Sequence, residues 1–370
     1  MQASAWTIQQ SPLREQSDEL IAELYAASAA LHQEARPDDP RPPLATDIAD
    51  VRNMPAPEDG LVLVARAGAG EVAGLATCTW QQLEGWSHVL QARIEVLPAH
   101  RRNGLGRLLL ERAAGVAEQR ELRLVMGRTR DNVPAGAAFC AAFGAERAMA
   151  VEENRLDLQE VDRDLVDRWL TDGPVRAPGY RLEFVAGRTP PELAERVAEV
   201  HNVMNTAPRE GMDVSDTLVT PELVAEFESA AEATGRQHWA FYAVDEATGR
   251  FVGLTDIFLE PGIQDRAFVG DTGVEPAHRG RSLGKWLKAA MTRKILDERP
   301  GIRWVITWNA GSNDAMLAIN RQLGFRTSAV HTTWQIPVRQ LRTRLAEPEA
   351  EAGSPHAAVT LGRKLEPGVE

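Results

Sequence analysis

Within residues 17–34, apolar side chains at Leu20, Ile21, Leu24 and Leu31 fall at helical spacing, and the run stops at the loop Pro37-Asp38-Asp39-Pro40-Arg41-Pro42-Pro43. The pattern predicts a helix ahead of a sheet. Residues 61–65 and 72–80 are apolar stretches of strand length on either side of Gly68-Ala69-Gly70, which predicts a β-hairpin. Residues 91–97 read as a further strand and 108–119 as a helix.

The same order recurs later. Thr189-Pro190-Pro191-Glu192 carries a hydroxyl, a proline and a Glu at the spacing of a helix start, and the helix it opens is expected to run to about Asn205. Residues 238–244 and 250–258 flank the turn Asp245-Glu246-Ala247-Thr248-Gly249 as a second hairpin, followed by a strand at 267–274 and a helix at 285–296. Sliding the chain against itself by 178 residues lays 96–107 on 274–285 with seven of twelve pairs identical. So large a shift is a domain duplication, not a solenoid period. The expected organisation is one domain at 1–160, a linker at 161–178 ending near Asp172-Gly173-Pro174, a second domain at 179–345, and a mobile tail at 346–370, rich in Glu, Ala, Gly and Pro.

Composition narrows the function. With 41 Lys plus Arg against 53 Asp plus Glu, the net charge of −12 repels a polyphosphate backbone, so no nucleic-acid partner is expected. Two cysteines, Cys78 and Cys140, build no disulfide framework, and the eight histidines show no ligand spacing, so no metal is expected. No long apolar run predicts a membrane span, and the reading is a cytoplasmic protein.

The duplicated segment carries the chemistry. Strand, Arg-x-x-Gly-x-Gly, helix is a device for holding a pyrophosphate, because the loop turns successive N–H groups inward and the helix N-terminus adds positive charge. The first copy reads Arg101-Arg102-Asn103-Gly104-Leu105-Gly106, and the second Arg279-Gly280-Arg281-Ser282-Leu283-Gly284, with Ser in place of the leading glycine. Residues 280–286 are one residue short of a Walker loop and have Trp286 where a magnesium-binding hydroxyl belongs, and a dinucleotide fingerprint from Gly104 would need its third glycine at Leu109.

These loops, with Arg93-Ile94-Glu95-Val96 before the first, Phe139-Cys140-Ala141-Ala142-Phe143-Gly144-Ala145 about 40 residues on, and Thr307-Trp308-Asn309, Asn313-Asp314-Ala315-Met316 and Ile319-Asn320-Arg321-Gln322-Leu323-Gly324-Phe325 in the second half, resemble the Gcn5-related N-acetyltransferases (GNAT). The duplication resembles the two-domain actinobacterial kind, with a mycothiol synthase-like architecture. The resemblance implies two tandem α/β (α+β) domains, each a mixed, mostly antiparallel sheet flanked by helices. It further implies acetyl-CoA (coenzyme A) as donor, a small-molecule amine as acceptor, and direct attack of the amine on the thioester.

Carried over by position, the resemblance assigns the pyrophosphate to Arg101, Arg102, Asn103, Gly104, Leu105, Gly106 and Arg107, and to Arg279, Gly280, Arg281, Ser282, Leu283, Gly284 and Lys285. It places Val96 and Val274 beside the thioester, and Asn309 and Asn313 where the strands part. Glu95 and Asp271 are the candidate bases, each equally readable as an ion-paired strand residue. The helix position that commonly holds a Tyr acid is Cys140 in one copy and Asn320 in the other. That departure keeps a second reading open, in which one or both halves bind coenzyme A without turnover. The stretch 201–213 is the candidate acceptor loop, and His100 and His278 read as structural.

Overall fold

The structure, a computed structural model, describes residues 6–68 and 70–347. The first half contributes strand β1 (Thr7–Pro12), helices α1 (Asp18–Ala27), α2 (Ala29–Ala35) and α3 (Leu44–Arg52), and strands β2 (Glu58–Arg66), β3 (Val72–Gln81) and β4 (Val89–Val96). Helix α4 (Leu105–Gln119), β5 (Leu124–Arg130), α5 (Pro134–Ala142), β6 (Glu146–Asp157) and α6 (Arg163–Arg176) complete it. The second half runs β7 (Tyr180–Ala186), α7 (Ala194–His201), α8 (Pro221–Ala233), β8 (Gln237–Asp245), β9 (Phe251–Leu259), β10 (Arg266–Val274), α9 (Leu283–Glu298), β11 (Trp304–Ala310), α10 (Asp314–Leu323), β12 (Arg326–Pro337) and α11 (Val338–Ala346).

Local chemistry fixes several of these boundaries. Ser17, Asp162, Thr220 and Asn313 accept a backbone N–H in the first turn of α1, α6, α8 and α10, satisfying donors that a helix leaves orphaned. Thr189 does not play that part: its hydroxyl donates to Glu228 Oε1 at 2.5 Å, and a short 3-10 turn from Pro191 precedes α7. The helical segment expected to reach Asn205 stops at His201 and continues as a 3-10 turn over Asn202–Thr206.

The strands form one sheet in the order β1-β2-β3-β4-β5-β12-β6-β11-β10-β9-β8-β7. Each half therefore gives its last strand to the other. β12 lies antiparallel to β5 and β6 antiparallel to β11, and the two exchanged strands pair antiparallel at the centre. The following helices cross with them, so α6 packs on α9 and α11 on α4. The segment expected as a linker is thus largely helix α6, and most of the expected tail lies outside the described residues.

The exchange makes a pseudo-twofold axis at the middle of the sheet. Glu153 and His331 are equivalent positions, 178 residues apart, and they bond to each other at 3.0 Å. Glu153 is fully buried and also accepts from Arg155 at 2.6 Å and Arg130 at 3.3 Å. Burial alone would raise its carboxyl, but the bonds from His331 and Arg155, with Arg130 beside them, hold it far below the usual carboxylate range. Asp39, from the loop after α2, bonds both Arg155 and Arg266 at 2.7 Å and so ties the first half to β10.

Helices α4 and α9 cover one face through apolar stripes that include Leu105, Leu109 and Ala113 in the first half and Leu283, Leu287 and Ile295 in the second. The opposite face carries α1 and α7, with Leu24 against Val62 and Val64, and Val197 and Val200 against Ala240 and Leu254. Among the described residues no helix is long and apolar enough to cross a membrane.

Candidate active site

In each half two parallel strands start together and then part. β4 and β5 pair only over Val89–Gln91 with Leu124–Met126, and β10 and β11 only over Arg266–Phe268 with Trp304–Ile306. Beyond those points the backbones diverge, leaving an opening flanked by Val96 in the first half and by Val274 in the second. The duplicated loops begin at these strand ends.

Both loops adopt one conformation with interchanged residues. Arg102 (φ 62°) and Gly104 (φ 81°) are left-handed in the first, and Gly280 (φ 78°) and Ser282 (φ 64°) in the second. The same two positions turn in both copies, so the Ser for Gly exchange leaves the path unchanged at the cost of a strained Ser282. No side chain caps α4 or α9, in contrast to the four capped helices above, and their first amides face the loop. A Cβ at Gly106 would lie 3.1 Å from Phe139, and one at Gly284 3.3 Å from Ile319. These glycines therefore let α5 and α10 close against the loop helices, while Gly104 and Gly280 serve the backbone turn in open space.

The basic side chains of the loops turn largely to structural partners. Arg101 Nε donates to Val96 O at 3.0 Å and Arg279 Nε to Val274 O at 2.9 Å. Arg101 continues to Glu34 at the end of α2, and Arg279 to Thr206 Oγ1 at 2.7 Å. Arg107 donates to the carbonyls of Leu345 and Glu347, holding α11, and Lys285 lies over the Trp169 ring of α6. Arg102, Asn103 and Arg281 are exposed on the loops. His278 Nδ1 bonds Tyr180 Oη at 2.8 Å and His100 meets Trp6 edge-on, so both brace the loop from below.

The two halves differ on the face of α1 and α7. In β10 the register with β9 steps from Val269↔Ile257 to Thr272↔Thr255, a bulge that places Gly270 and Asp271 opposite Asp256. Buried Asp256 accepts the Asp271 amide through Oδ1 at 2.5 Å and bonds His238 Nε2 through Oδ2 at 3.0 Å. Asp271 Oδ2 in turn bonds His201 Nδ1, also at 3.0 Å. The result is a continuous chain, His201–Asp271–Asp256–His238, beside the opening. Burial by itself pushes His201 down, but its bond to Asp271 and the nearby Asp256 leave it above the ordinary histidine value of 6.5. Tyr242, fully buried with its hydroxyl lacking a hydrogen-bond partner among the described residues, is pushed up by burial and by Asp256, Glu228 and Asp271.

Among the described residues the first half has no such chain. Its β3–β4 register is regular, with Thr77 opposite Arg93 where the second half has Asp256 and the bulge. Glu95 bonds Arg93 at 2.6 Å, and Arg93 is exposed. Of the sequence candidates for base, Glu95 is thus committed to an arginine and Asp271 to a histidine.

On the α9 face, Asn320 is buried and donates to Asn309 Oδ1 at 2.8 Å, while its own Oδ1 has no partner among the described residues. Asn313 caps α10. Cys140 is half-buried, and burial pushes its thiol up to about 11. His201 is noticed in the sequence only as part of the acceptor loop, and Asp256 and His238 not at all. The available signal was a single carboxylate in the otherwise uncharged strand 251–259.

Comparison with known proteins identifies the family. The acetyltransferase (GNAT) family matches at residues 22–145 and 210–325. Mycothiol acetyltransferase of Saccharomonospora viridis is 29% identical over 322 residues, 84% of this chain and 94% of that protein. The Thermobifida fusca protein of the same name is 29% identical over 253 residues, 63% of this chain and 70% of its own. A solved structure described as a tandem GNAT protein from the clavulanic acid biosynthesis pathway superposes with a TM-score of 0.72 at 27% identity, covering 90% of this chain and 99% of its own. The chain belongs to the acetyltransferase (GNAT) family, as a tandem of two such domains joined through exchanged strands.

Proposed function

We propose that the protein transfers an acetyl group from acetyl-CoA to the amine of a small cytoplasmic molecule, and that turnover belongs to the second half. The observation that carries this reading is the chain His201–Asp271–Asp256–His238 at the β10 bulge, which has no counterpart among the described residues of the first half. The donor fits the residues present: uncapped α9 and the left-handed loop at Gly280 and Ser282 offer backbone donors to a pyrophosphate, and the opening between β10 and β11 offers a passage for its pantetheine arm. Bound acetyl-CoA supplies the activated acetyl thioester.

The reaction needs a neutral amine at the carbonyl and a place for its proton. Asp271 accepts Nδ1–H of His201 and so fixes the tautomer that leaves Nε2 as proton acceptor. The pair acts as one base, oriented from behind by the Asp256 carboxylate on the Asp271 amide. An N–H at Val274 polarises the carbonyl. The relatives called mycothiol acetyltransferase make mycothiol-type acceptors the first to try.

Native mass spectrometry with acetyl-CoA, alongside turnover on an amine panel, tests the proposal. Ser282→Glu places a carboxylate in the second cradle and should abolish turnover. Gly106→Glu does so in the first and should leave turnover intact. Turnover that survives Ser282→Glu and dies with Gly106→Glu would move the active site to the first half. No bound cofactor in the wild type would remove the acetyltransferase reading.

A further inference from the structure

The attacking amine and the leaving sulfur need different partners, and the base described above serves only the first. His201, Asp271 and Asp256 lie on the face of α7, whereas the duplicated loop feeds into α9 on the other face, so a pantetheine arm held by that loop would bring its sulfur from the α9 side. On that side the position to which the family resemblance assigns a Tyr acid is Asn320, an amide that titrates no proton.

Lys288 stands on the same side. It is the sixth residue of α9, about 7.5 Å along the helix axis from its start. It is buried, 4% exposed, and its Nζ has no hydrogen-bond partner among the described residues. Lys288 lies one turn beyond Gly284, the residue whose Cβ would touch Ile319 of α10, so its stem runs along the α10-facing side of the helix. Its Nζ reaches 5.6 Å from the centre of the Phe325 ring, just past α10. An unpartnered buried donor on α9 thus accompanies the unpartnered Oδ1 of Asn320 on α10. The equivalent of Lys288 in the first half is Leu110, part of that half's apolar core, so a helix packed on this sheet does not require the ammonium.

We propose that Lys288 is the catalytic acid of the second half. The inference rests on the reading of that half as the acetyltransferase site. As the amine nitrogen bonds to the acetyl carbon, the carbon–sulfur bond breaks and its electron pair goes to sulfur. Nζ–H of Lys288 gives the sulfur its proton, the amine proton passes to His201, and solvent reprotonates Lys288 between turnovers.

The surrounding charges suit the role. Burial lowers Lys288 to about 8, and the opposing charge on Asp256 of β9 keeps it from falling further. From α10 it faces the neutral Ile319 and Asn320. Of the α6 carboxylates, Asp167 is engaged with Arg293, and Asp172, which lines a cavity with Ser282 and Lys285, is engaged with Arg176. An acid poised near neutrality both donates readily and recovers its proton from water.

The test uses the full-length protein with coenzyme A and acetyl-CoA. Two variants are compared: Lys288→Met, which keeps the stem without charge, and Lys288→Arg, which keeps the charge without a titrating proton. The thiol of bound coenzyme A, followed by thiolate absorbance, should ionise at lower pH in the wild type and in Lys288→Arg than in Lys288→Met. Both variants should lose about 100-fold or more in kcat with KM for acetyl-CoA within about threefold, and the basic limb of the wild-type kcat profile should disappear. Should Lys288→Met fail to fold, Lys288→Arg carries the kinetic test alone. Lys288→Arg with kcat within threefold of wild type, or an unchanged thiol titration in Lys288→Met, overturns the role of Lys288 while leaving the site standing. A wild type that binds no coenzyme A overturns both.

Discussion

Replacing Asp271 by Asn separates two things its carboxylate can do. The side chain is 39% exposed and bonds His201 Nδ1 at 3.0 Å. If it only orients the imidazole, the loss is the difference between a charge-assisted and a neutral hydrogen bond, roughly 1 to 1.5 kcal/mol. Solvent reaching the exposed carboxylate cuts this to under about 1 kcal/mol, or at most about fivefold in rate. If Asp271 and His201 together take the amine proton, removing the charge costs general-base catalysis, about 10²- to 10⁴-fold in kcat. The two ranges do not overlap. Initial rates of coenzyme A release, with the best amine from the panel held saturating, are expected to show the larger loss, with KM for acetyl-CoA unchanged because the loop at 279–285 is untouched. Unfolding midpoints of the two proteins should agree within a few degrees. A kcat within fivefold of wild type in the folded Asp271→Asn protein would refute the argument and reduce Asp271 to a brace for His201.

Four further outcomes follow. His201 is raised above 6.5 in the fold, so its charged form stabilises the protein fully below that value and the contribution fades as pH rises through the folded pKa. The base works in the opposite sense, and the acidic limb of kcat/KM should therefore lie above 6.5 and move down in Asp271→Asn. Glu153→Ala strands Arg130, Arg155 and His331 at the centre of the sheet and should cost about 3 to 5 kcal/mol in urea unfolding; the wild type should lose that advantage as pH falls below the ordinary carboxylate range, since Glu153 is held under it. Ser282→Gly relieves a left-handed serine and should raise stability by about 1 kcal/mol in the same assay, with the cofactor still bound. Cys140, its thiol pushed up to about 11, should react slowly with thiol reagents at neutral pH, and Cys140→Ser should leave turnover unchanged.

The repeated loop was legible because its chemistry is local. Gly104, Gly106 and Ser282 lie within a few residues of the strand and helix they join, and their spacing records a backbone path. The exchange of β6 and β12 was not legible, since each strand has the same apolar pattern whichever neighbour it pairs with. Glu153 and His331 offered the one clue, a carboxylate and an imidazole at equivalent positions of the repeat, but their pairing depends on the sheet order. The site was half visible for the same reason. Asp271 stands next to the loop and drew notice, whereas His201, Asp256, His238 and Lys288 come from α7, β9, β8 and α9, and only the fold brings them near one another.

The exchange also bears on how two copies can carry unequal chemistry. β6 pairs along the whole of β11, the strand that flanks the second opening, and α6 packs on α9 immediately behind the second loop, where a Cβ on Gly173 would clash with the Trp286 ring. The edge of the second site is therefore built from the first half of the chain. The differences at Thr77 of β3, Arg93 of β4 and Leu110 of α4 leave that edge intact, because these residues lie away from β6 and α6. A change in β6 cannot be so confined, since Arg155 and Glu153 hold Asp39, Arg130 and His331 together across the axis. The exchanged elements are thus constrained by both halves at once, while the face beside each opening is free to differ. That is the distribution observed, with a polar chain at one bulge and a plain antiparallel register at the other.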